Sequence, residues 1–404
     1  SVVSTDNFTA LPEHEPDKAA AVATDGTEAA LLYTSGTTGQ PKGCILSNDY
    51  FISMGQWYNS LDGYCALQQG RERLLTPLPL THMNALCCSS MAMIISGGCV
   101  IQLDRFHASN WWQTVREAGA TCIHYLGVMP AILLALPETP DDDQQGRIRF
   151  GLGAGSDPRH QAAFEQRFGF PLIEAWAMTE TGVNVSILAH QEPRHVGERC
   201  IGRPCNAIDY RLIDEAGDDV PVGEPGELLI RLAGDAPRHG FFSGYYKDEA
   251  ATVAAWEGGY FHTGDVLRQD ADGLFYFVDR RKNIIRRSGE NIAAIEVENV
   301  VLQHPAVDNC VVTPVYDEIR GEEVGACIIV GAGADAVEQL AREIFAFCAD
   351  KLVYYKVPAW YRFVSTLPMT ASQKVQRAEI KKQLAEWVTG GQAIDLRRLK
   401  KRAS

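Results

Sequence analysis

The chain has 404 residues, of which 46% are hydrophobic and 22% charged, and its formal net charge at pH 7 is −14. These values are typical of a globular protein with two or more domains, and the negative charge argues against binding of nucleic acid over a broad basic surface. No apolar run approaches the roughly 20 residues that a membrane-spanning helix needs, so no membrane span is predicted. The eleven cysteines are scattered without a CxxC pair, which indicates neither a zinc site nor a disulfide framework, and a reducing cytoplasm fits best.

Strand and helix patterns alternate through the first half of the chain. The apolar run at 29–33 predicts a buried strand, and Ser47 is predicted as the N-cap of the helix that follows. Ser109 is predicted to cap a later helix that ends at Ala118. The remaining predictions in this half are a helix at 84–95 and strands at 99–103, 121–125, 149–152 and 172–176. Such alternation implies a largely parallel sheet covered by helices.

The residue pattern of the second half changes twice. Residues 207–278 contain short strands broken by Gly and Pro, which predicts a small antiparallel, barrel-like subdomain. Beyond residue 279 the pattern becomes mixed, with a helix predicted at 296–303 and strands near Cys310 and Cys327. The remaining length suits a separate α+β domain of about 100 residues. The basic end, LRRLKKRAS, is predicted to be solvated or disordered.

The stretch YTSGTTGQPKG, residues 33–43, is the first candidate site. Its predicted position between a strand and a helix places it at the carboxyl end of a sheet strand, where open α/β sheets bind ligands. Its glycines allow backbone N–H groups to converge on an anion, and its hydroxyl groups and lysine add donors and charge. The spacing is not the GxxxxGK[ST] of common nucleotide-binding loops, and a solvated hairpin or turn is the alternative interpretation. The candidate phosphate-binding residues are Thr34, Ser35, Gly36, Thr37, Thr38, Gly39 and Lys42.

Four further stretches follow this loop along the chain. They are AWAMTETG at 175–182, YFHTGDV at 260–266, DRRKNIIRRSGEN at 279–291 and PMTASQKVQRAEI at 368–380. Together the five motifs resemble those of the adenylate-forming superfamily, which contains acyl-CoA synthetases, peptide-synthetase adenylation domains and luciferases. The resemblance extends from residue 29 to residue 388. It implies an enzyme that activates a carboxylic acid with ATP as an acyl-adenylate, releases pyrophosphate, and transfers the acyl group to a thiol.

The resemblance assigns roles to the second motif and to a turn before it. Glu180 is expected to hold Mg²⁺ between phosphates, and Thr179 is expected to donate to the α-phosphate. Trp176 is expected to offer a face to the adenine. The turn on the other side of the adenine consists of Gly153, Ala154 and Gly155. Taken alone, Glu180 reads as a surface glutamate that caps a turn.

The later motifs supply the ribose, hinge and lysine assignments that the resemblance implies. Asp265 is expected to accept from both ribose hydroxyls, with Arg280 as a second ribose contact. Lys374 is expected to reach the substrate carboxylate and the α-phosphate. Gly289 is expected to approach the adenylate when CoA attacks it. Residues 279–283 form the expected hinge, although DRRKN taken alone is typical of a charged surface turn.

The acyl group itself is not identified by these motifs. His82, in PLPLTHMNAL, matches the family's histidine near the acyl tunnel and is a candidate catalytic residue that lines or gates the carboxylate pocket. The alternative is a helix-terminal histidine whose hydrogen bonds are satisfied within the fold. The pocket walls are expected around His82, 125–128 and 151–155.

The implied α/β architecture has four parts. They are a large domain of parallel sheets wrapped by helices at 1–278, which includes the barrel-like subdomain, a hinge at 279–283, a small mobile α+β lid domain at 284–388 and a basic tail at 389–404. Only some 30 residues precede the phosphate loop, where the family has a large additional portion. The N-terminal part is therefore expected to be truncated, or to belong to a longer chain.

Within the superfamily, an acyl-CoA synthetase is favoured over a peptide-synthetase domain. The stretches WAMTET and YYKVP have the synthetase form, and no carrier-protein serine motif follows them. RRSGENI and EVENVV resemble most closely the bacterial carnitine and crotonobetaine CoA-ligase group. The expected partners are a small carboxylic acid, ATP, Mg²⁺ and CoA, and a homodimer is one candidate assembly. Two alternatives stay open: an adenylating enzyme that supplies a carrier protein, and a non-catalytic nucleotide-binding homologue.

Overall fold

The computed structural model of the protein describes residues 22–34, 41–140, 142–331, 337–369 and 375–400. Within these ranges the chain forms three sheets, of three, eleven and six strands. One large group of buried apolar side chains lies under the first two sheets, and another lies under the third. No helix in these ranges is both long enough and apolar enough to cross a membrane.

A β-hairpin opens the described part of the chain. Strand β1 (Glu28–Thr34) pairs antiparallel with β2 (Lys42–Ser47). The expectation of a buried strand is wrong, because β1 lies at the edge of its sheet and only its Leu32 is buried. The expected strand–loop–helix order is also wrong: the loop joins two antiparallel strands, and helix α1 (Asn48–Ser60) begins only after β2. Ser47 caps α1 as predicted, because its side chain accepts a hydrogen bond from a backbone N–H of the first turn.

The first half of the eleven-stranded sheet alternates parallel strands with helices, as predicted. In chain order the elements are β3 (Arg73–Thr76), a π-helix (Asn84–Ser89) that runs into α2 (Ser90–Ser96), β4 (Cys99–Gln102), α3 (Trp111–Ala118), β5 (Cys122–Leu126), α4 (Val128–Ala135), β6 (Phe150–Ala154), α5 (Pro158–Phe168) and β7 (Leu172–Met178). The parallel strand order is β4-β3-β5-β6-β7. The predicted cap at Ser109 is wrong, because a 3₁₀ turn at Ala108–Asn110 displaces the start of α3.

The second half of this sheet is antiparallel. Its strands are β8 (Gly182–Leu188), β9 (Cys200–Pro204), β10 (Ile208–Ile213), β11 (Gly226–Leu232), β13 (Phe261–Gln269) and β14 (Phe275–Arg280). Between β11 and β13 the chain also forms the short strand β12 (Gly244–Tyr245) and the helix α6 (Glu249–Ala255). The order β10-β11-β13-β14-β9-β8-β7 joins the predicted barrel-like region to the parallel strands. In the described part of the chain, β10, β11, β13 and β14 therefore belong to the large sheet, which they join where β14 pairs with β9. Strand β12 instead pairs with β2 and completes the three-stranded sheet.

The last part of the chain builds the six-stranded sheet and packs helices on it. Its elements are β15 (Ile284–Arg287), β16 (Glu290–Ala293), α7 (Ala294–Val301), β17 (Val307–Asp317), β18 (Gly321–Val330), α8 (Val337–Lys351), β19 (Trp360–Phe363), α9 (Arg377–Thr389) and β20 (Ile394–Asp395). The long β17–β18 pair is antiparallel, and β18 pairs with β19 in parallel. The mixed α+β pattern that the sequence predicts is present, while the exact domain limits stay predictions.

The basic end of the chain is docked onto this sheet. Strand β20 pairs with β19, and Leu396 is buried. The Lys400 Nζ donates to Glu323 Oε1 at 2.6 Å and to the Tyr355 carbonyl at 3.1 Å. The prediction of a solvated or disordered end is therefore wrong through residue 400, because a buried carboxylate binds the lysine. Residues 401–404 lie outside the described residues.

Candidate active site

Glu180 lies in the turn between β7 and β8, where two hydroxyl groups contact its carboxylate. The Thr34 hydroxyl lies 3.3 Å from Glu180 Oε1, and the Tyr245 hydroxyl lies 3.1 Å from the same oxygen. Glu180 itself is buried. Since Thr34 ends β1 and Tyr245 ends β12, both contacts join this turn of the large sheet to the three-stranded sheet. Sequence reasoning placed Thr34 and Glu180 in one site but missed Tyr245, whose signal was an aromatic pair in SGYYKDE.

Lys42 lies at the other end of the predicted phosphate loop. It begins β2 and is the register partner of Thr34 across the hairpin. Its Nζ lies 4.7 Å from the centroid of the Tyr245 ring, which is within the range of a cation–π contact. The structure thus brings Thr34, Lys42 and Glu180 to one place. The other predicted residues of this loop lie outside the described residues: Ser35, Gly36, Thr37, Thr38 and Gly39.

The charge of Glu180 affects the groups around it. Burial and the Glu180 carboxylate raise the pKa of the Tyr245 hydroxyl, and they also raise the pKa of the Cys44 thiol. Both groups therefore stay protonated at neutral pH. Tyr245 can act on Glu180 as a hydrogen-bond donor over the whole physiological range.

Thr179 precedes Glu180 in the same turn. Its backbone carbonyl accepts a hydrogen bond of 2.9 Å from the Tyr50 hydroxyl, which ties the turn to helix α1. The turn is closed by Thr181, whose Oγ1 accepts from the Met178 N–H at 3.1 Å. The backbone at Thr179 is fixed in this way. Its predicted contact with the α-phosphate stays a prediction.

A second group brings together three of the predicted adenosine-binding residues. The Trp176 indole Nε1 donates to Asp265 Oδ2 at 2.9 Å, and Arg280 Nε lies 3.4 Å from Asp265 Oδ1. Asp265 and Arg280 are also register partners across β13 and β14. Burial raises the pKa of the Asp265 carboxyl, whereas the Arg280 charge and the Trp176 N–H act in the opposite direction. The edge of Trp176 therefore holds the carboxylate that is predicted to bind ribose.

Gly153, Ala154 and Gly155 lie at the carboxyl end of β6, and a buried glutamate holds the loop that follows. Glu174 accepts hydrogen bonds from the Gly155 N–H at 2.8 Å, from the Ser156 N–H at 3.2 Å and from the Tyr125 hydroxyl at 2.6 Å. A Cβ at Gly153 would lie 2.4 Å from the Tyr125 carbonyl oxygen, so the close approach of β5 requires glycine there. Sequence reasoning missed Glu174, whose signal was a single carboxylate inside the apolar strand LIEAWAM.

His82 lies at the start of the π-helix, next to a buried polar cluster. Its Nδ1 accepts from the Asn84 N–H at 3.2 Å, as the helix-terminal alternative predicts. The Asn84 side chain in turn lies 2.7 Å from His124 Nδ1, and His124 Nε2 lies 3.0 Å from the Tyr58 hydroxyl. Burial lowers the pKa of His124 to about 3, so this ring is neutral at pH 7. Sequence reasoning missed this cluster, and the role of His82 at the acyl pocket stays a prediction.

Lys374 lies outside the described residues, but the two ends of its segment are tied together. Met369 forms a bridge with Val375, and the Gln376 side chain donates to the Met369 carbonyl at 2.7 Å. Directly after it, both Arg377 Nη atoms lie 2.6 Å from the carboxylate oxygens of Glu298. The residues on both sides of Lys374 are therefore joined to each other, and the end at Arg377 is also fixed to α7.

Gly289 occupies a tight turn between β15 and β16, with a positive φ of 88°. The turn is supported by Arg287, whose Nε lies 2.9 Å from both carboxylate oxygens of the buried Glu323. Among the described residues, no hydrogen bond joins this turn to Glu180 or Asp265. The approach of Gly289 to the adenylate stays a prediction.

Asp279 joins the last strand of the large sheet to the first helix beyond it. Its Oδ1 accepts from the Asn283 side chain at 3.0 Å, and its Oδ2 accepts from the Ile295 N–H of α7 at 3.0 Å. Asp279 as a whole is 3% exposed. One buried side chain thus connects both ends of the segment that is predicted to be the hinge.

Two family models match the chain. Residues 2–246 match the model described as AMP-binding enzyme, and residues 296–374 match the model described as AMP-binding enzyme C-terminal domain. The chain belongs to the AMP-binding enzyme family. The recognition of the adenylate-forming superfamily from five motifs is confirmed.

Named relatives of this AMP-binding enzyme are CoA ligases. It is 32% identical over 387 residues to the crotonobetaine/carnitine–CoA ligase of Citrobacter koseri, covering 93% of this chain and 71% of that protein. It is 34% identical over 376 residues to the sulfoacetate–CoA ligase of Cupriavidus necator, covering 92% of this chain and 68% of that protein. The predicted class, an AMP-forming acyl-CoA synthetase, is confirmed by these relatives.

Solved structures of adenylate-forming enzymes share the fold. The o-succinylbenzoate CoA synthetase MenE from Bacillus subtilis, in complex with the acyl-adenylate OSB-AMP, superposes with a TM-score of 0.75 at 27% identity, covering 89% of this chain and 70% of that one. ATP-bound MatB from Rhodopseudomonas palustris superposes with a TM-score of 0.77 at 24% identity, covering 90% of this chain and 69% of that one. The predicted α/β fold class and ATP-dependent ligation through an acyl-adenylate are confirmed.

Proposed function

We propose that this AMP-binding enzyme binds MgATP between the 34–42 loop, Glu180 and Asp265, and transfers the acyl group of a small carboxylic acid to CoA. The observation that supports this most directly is the shared contact of Thr34 and Tyr245 with Glu180 Oε1. It supports the proposal because it brings Thr34, at the start of the proposed phosphate-binding loop, into contact with the carboxylate that we propose as the metal ligand.

The donor chemistry around Glu180 suits Mg²⁺ that is held partly by the nucleotide. Mg²⁺ prefers hard oxygen ligands and is usually bound by one or two carboxylates together with substrate phosphates, rather than by a cage of protein ligands. Glu180 offers such a carboxylate, and the part of the chain that the structure describes contains no group of three His, Cys, Asp or Glu side chains able to hold a metal. When bound, Mg²⁺ supplies neutralisation of phosphate charge. We assign Glu180 as its ligand.

In the first step, a carboxylate oxygen of the substrate attacks the α-phosphorus of ATP, and the bond to the β-phosphate oxygen breaks. Pyrophosphate leaves, and the product is an acyl-adenylate. Catalysis of such a step consists mainly of positioning and charge stabilisation. We assign Lys374 and Thr179 to the α-phosphate. We assign the adenosine to Trp176, Asp265, Arg280 and the loop formed by Gly153, Ala154 and Gly155.

In the second step, the thiol of CoA attacks the acyl carbon, and the bond to the AMP oxygen breaks. The thiol proton is lost, and AMP leaves. We propose that rotation about residues 279–283 withdraws Lys374 and brings Gly289 to the adenylate for this step. The same proposal gives His82 the role of lining or gating the carboxylate pocket.

The first experiment is a pyrophosphate-release assay with MgATP over a panel of small carboxylic acids, with and without CoA. Release with one acid class, together with CoA-dependent formation of AMP, is the expected result and identifies the acyl substrate. Release without CoA-dependent AMP formation would favour an enzyme that supplies a carrier protein. A chain that binds ATP but releases no pyrophosphate with any acid would favour the non-catalytic alternative.

Changing Lys374 to alanine tests the assignment of the first step. We expect Lys374→Ala to lower the rate of adenylate formation roughly 10²–10³-fold, as is typical for loss of one transition-state contact. Thioester formation from a supplied acyl-adenylate is expected to change much less. Lys382→Ala, an exposed lysine of α9, is the matched control. Equal loss of both steps in Lys374→Ala would refute the assignment.

We also propose a cytoplasmic location. All eleven cysteines are free, as suits a reducing compartment. Fractionation of the native protein tests this proposal.

We also propose that the protein forms a homodimer, and analytical ultracentrifugation tests this assembly.

A further inference from the structure

Tyr245 contacts strand β2, helix α6 and the turn that carries Glu180. It is the last residue of β12, and its backbone is the register partner of Cys44 in β2. Its N–H donates to Thr252 Oγ1 at 2.9 Å, and its ring packs edge-on against Phe242 at 4.8 Å between centroids. The side chain is therefore fixed from both its backbone and its ring. From this position it reaches the residues at both sides of the candidate phosphate site.

Its ring and its hydroxyl serve different partners. The face of the ring lies under the Lys42 ammonium, 4.7 Å from Nζ to the centroid. The hydroxyl lies 3.1 Å from Glu180 Oε1. One aromatic side chain therefore contacts the cation that is assigned to the phosphates and the carboxylate that is assigned to Mg²⁺. The hydroxyl contact can be removed while the ring contact is kept.

The direction of the hydroxyl contact follows from the two functional groups. A carboxylate oxygen accepts and a phenol hydroxyl donates, so Tyr245 donates to Glu180. The Thr34 hydroxyl adds a second donor to the same oxygen, Oε1. Neither hydroxyl donates to Oε2. Because both donors bind Oε1, they orient the carboxylate group, and this orientation also sets the direction in which Oε2 points.

We propose that Tyr245 is a positioning residue that sets the carboxylate of Glu180 for Mg²⁺ and the ammonium of Lys42 for the phosphates of ATP. This inference rests on the proposed function, since it assumes that Glu180 and Lys42 bind MgATP. It adds a residue outside the recognised motifs. Tyr245 itself touches neither the metal nor the nucleotide in this scheme.

The test separates the two contacts with two variants. Tyr245→Phe keeps the ring under Lys42 and removes the hydroxyl from Glu180. Tyr245→Leu removes both contacts. Tyr246→Phe is the matched control, because Tyr246 is the adjacent tyrosine, is 47% exposed and donates a backbone hydrogen bond to Gly43 of β2, which the substitution keeps. Urea unfolding of each variant verifies that the fold is retained.

Binding is measured without turnover, by calorimetric titration of Mg²⁺ into the full chain saturated with a non-hydrolysable ATP analogue. The affinity for the analogue is measured separately at saturating Mg²⁺. Tyr245→Phe is expected to weaken Mg²⁺ binding roughly tenfold, as befits a lost hydrogen bond to a charged group, and to change the analogue affinity less than about twofold. Tyr245→Leu is expected to weaken analogue binding by a further factor of about two to five.

Two results would overturn the inference: Mg²⁺ binding by Tyr245→Phe equal to that of Tyr246→Phe, or equal effects of the Phe and Leu variants on both affinities. Failure of the proposed function gives a different result. In that case the unaltered chain itself binds neither the analogue nor Mg²⁺. An unaltered chain that binds both, with variants that do the same, overturns the role of Tyr245 alone.

Discussion

Replacing Glu298 by alanine is expected to destabilise the six-stranded sheet and its helices. Glu298 lies in α7, and its side chain is 7% exposed. Its oxygens accept two bonds of 2.6 Å from the Arg377 guanidinium and one of 2.7 Å from the Val312 N–H. The change to alanine therefore removes a buried anion and leaves the arginine and the backbone group without their acceptor.

The expected loss of stability in Glu298→Ala depends on the Arg377 charge that stays in the fold without its partner. Removing one partner of a buried ion pair costs about 3–5 kcal/mol, because the other charge stays buried without compensation. The Arg377 side chain is 30% exposed, so part of its charge can be solvated after the change. We therefore expect the lower end, a loss of about 3 kcal/mol in the free energy of unfolding. The double variant Glu298→Met with Arg377→Met is expected to lose less, because it leaves no unpaired charge.

The measurement is urea unfolding of Glu298→Ala, of the single variants Glu298→Met and Arg377→Met, and of the double variant that combines these two Met substitutions. Glu386→Ala, an exposed glutamate of α9, serves as the control and is expected to change stability by less than about 0.5 kcal/mol. A Glu298→Ala variant as stable as this control would contradict the reasoning. So would a double variant whose loss equals the sum of the single losses, since the pair would then have no coupling.

Two further outcomes are expected. Burial lowers the pKa of Lys400 from 10.5 to about 8. Between pH 8 and pH 10.5 the folded chain therefore binds fewer protons than the unfolded chain. The free energy of unfolding rises with pH over this range, by at most about 3 kcal/mol. Lys400→Met is expected to lack this rise when urea unfolding is compared at pH 7.5 and pH 10, and an unchanged slope would speak against a buried ammonium. Glu174→Gln is expected to weaken ATP binding roughly tenfold by loosening the loop at Gly155 and Ser156, whereas equilibrium dialysis with unchanged affinity would show that this loop does not need the carboxylate.

The parallel half of the large sheet could be predicted from the sequence because its strands are continuous apolar runs separated by helical patterns. The order of the five motifs likewise identified the family. The strand pattern depends on neighbouring residues and the motif order depends on position along the chain, so both can be read from a single sequence. The hairpin was misread because EAALLYT is as apolar as a buried strand, and nothing in it shows that β1 has no neighbour on one side.

The residues that hold the site in place were not predictable in the same way. Glu174 and Tyr245 act on groups that are distant in sequence, and each looks like an ordinary member of its strand. The Lys400–Glu323 contact shows the same limit, since a basic chain end normally indicates solvent exposure. Such residues become recognisable only once the fold shows which donor faces which acceptor.

The Asp279 carboxylate has a consequence for how the predicted hinge can move. A flexible linker would allow a continuous range of orientations, but a buried acceptor must exchange one donor for another. If the part after residue 283 rotates, the bond from the Ile295 N–H has to be broken, and the orientation that follows must supply a new partner or expose the oxygen to water. The segment should therefore behave as a two-position switch with a definite barrier, and the rate of crossing that barrier sets an upper limit on turnover.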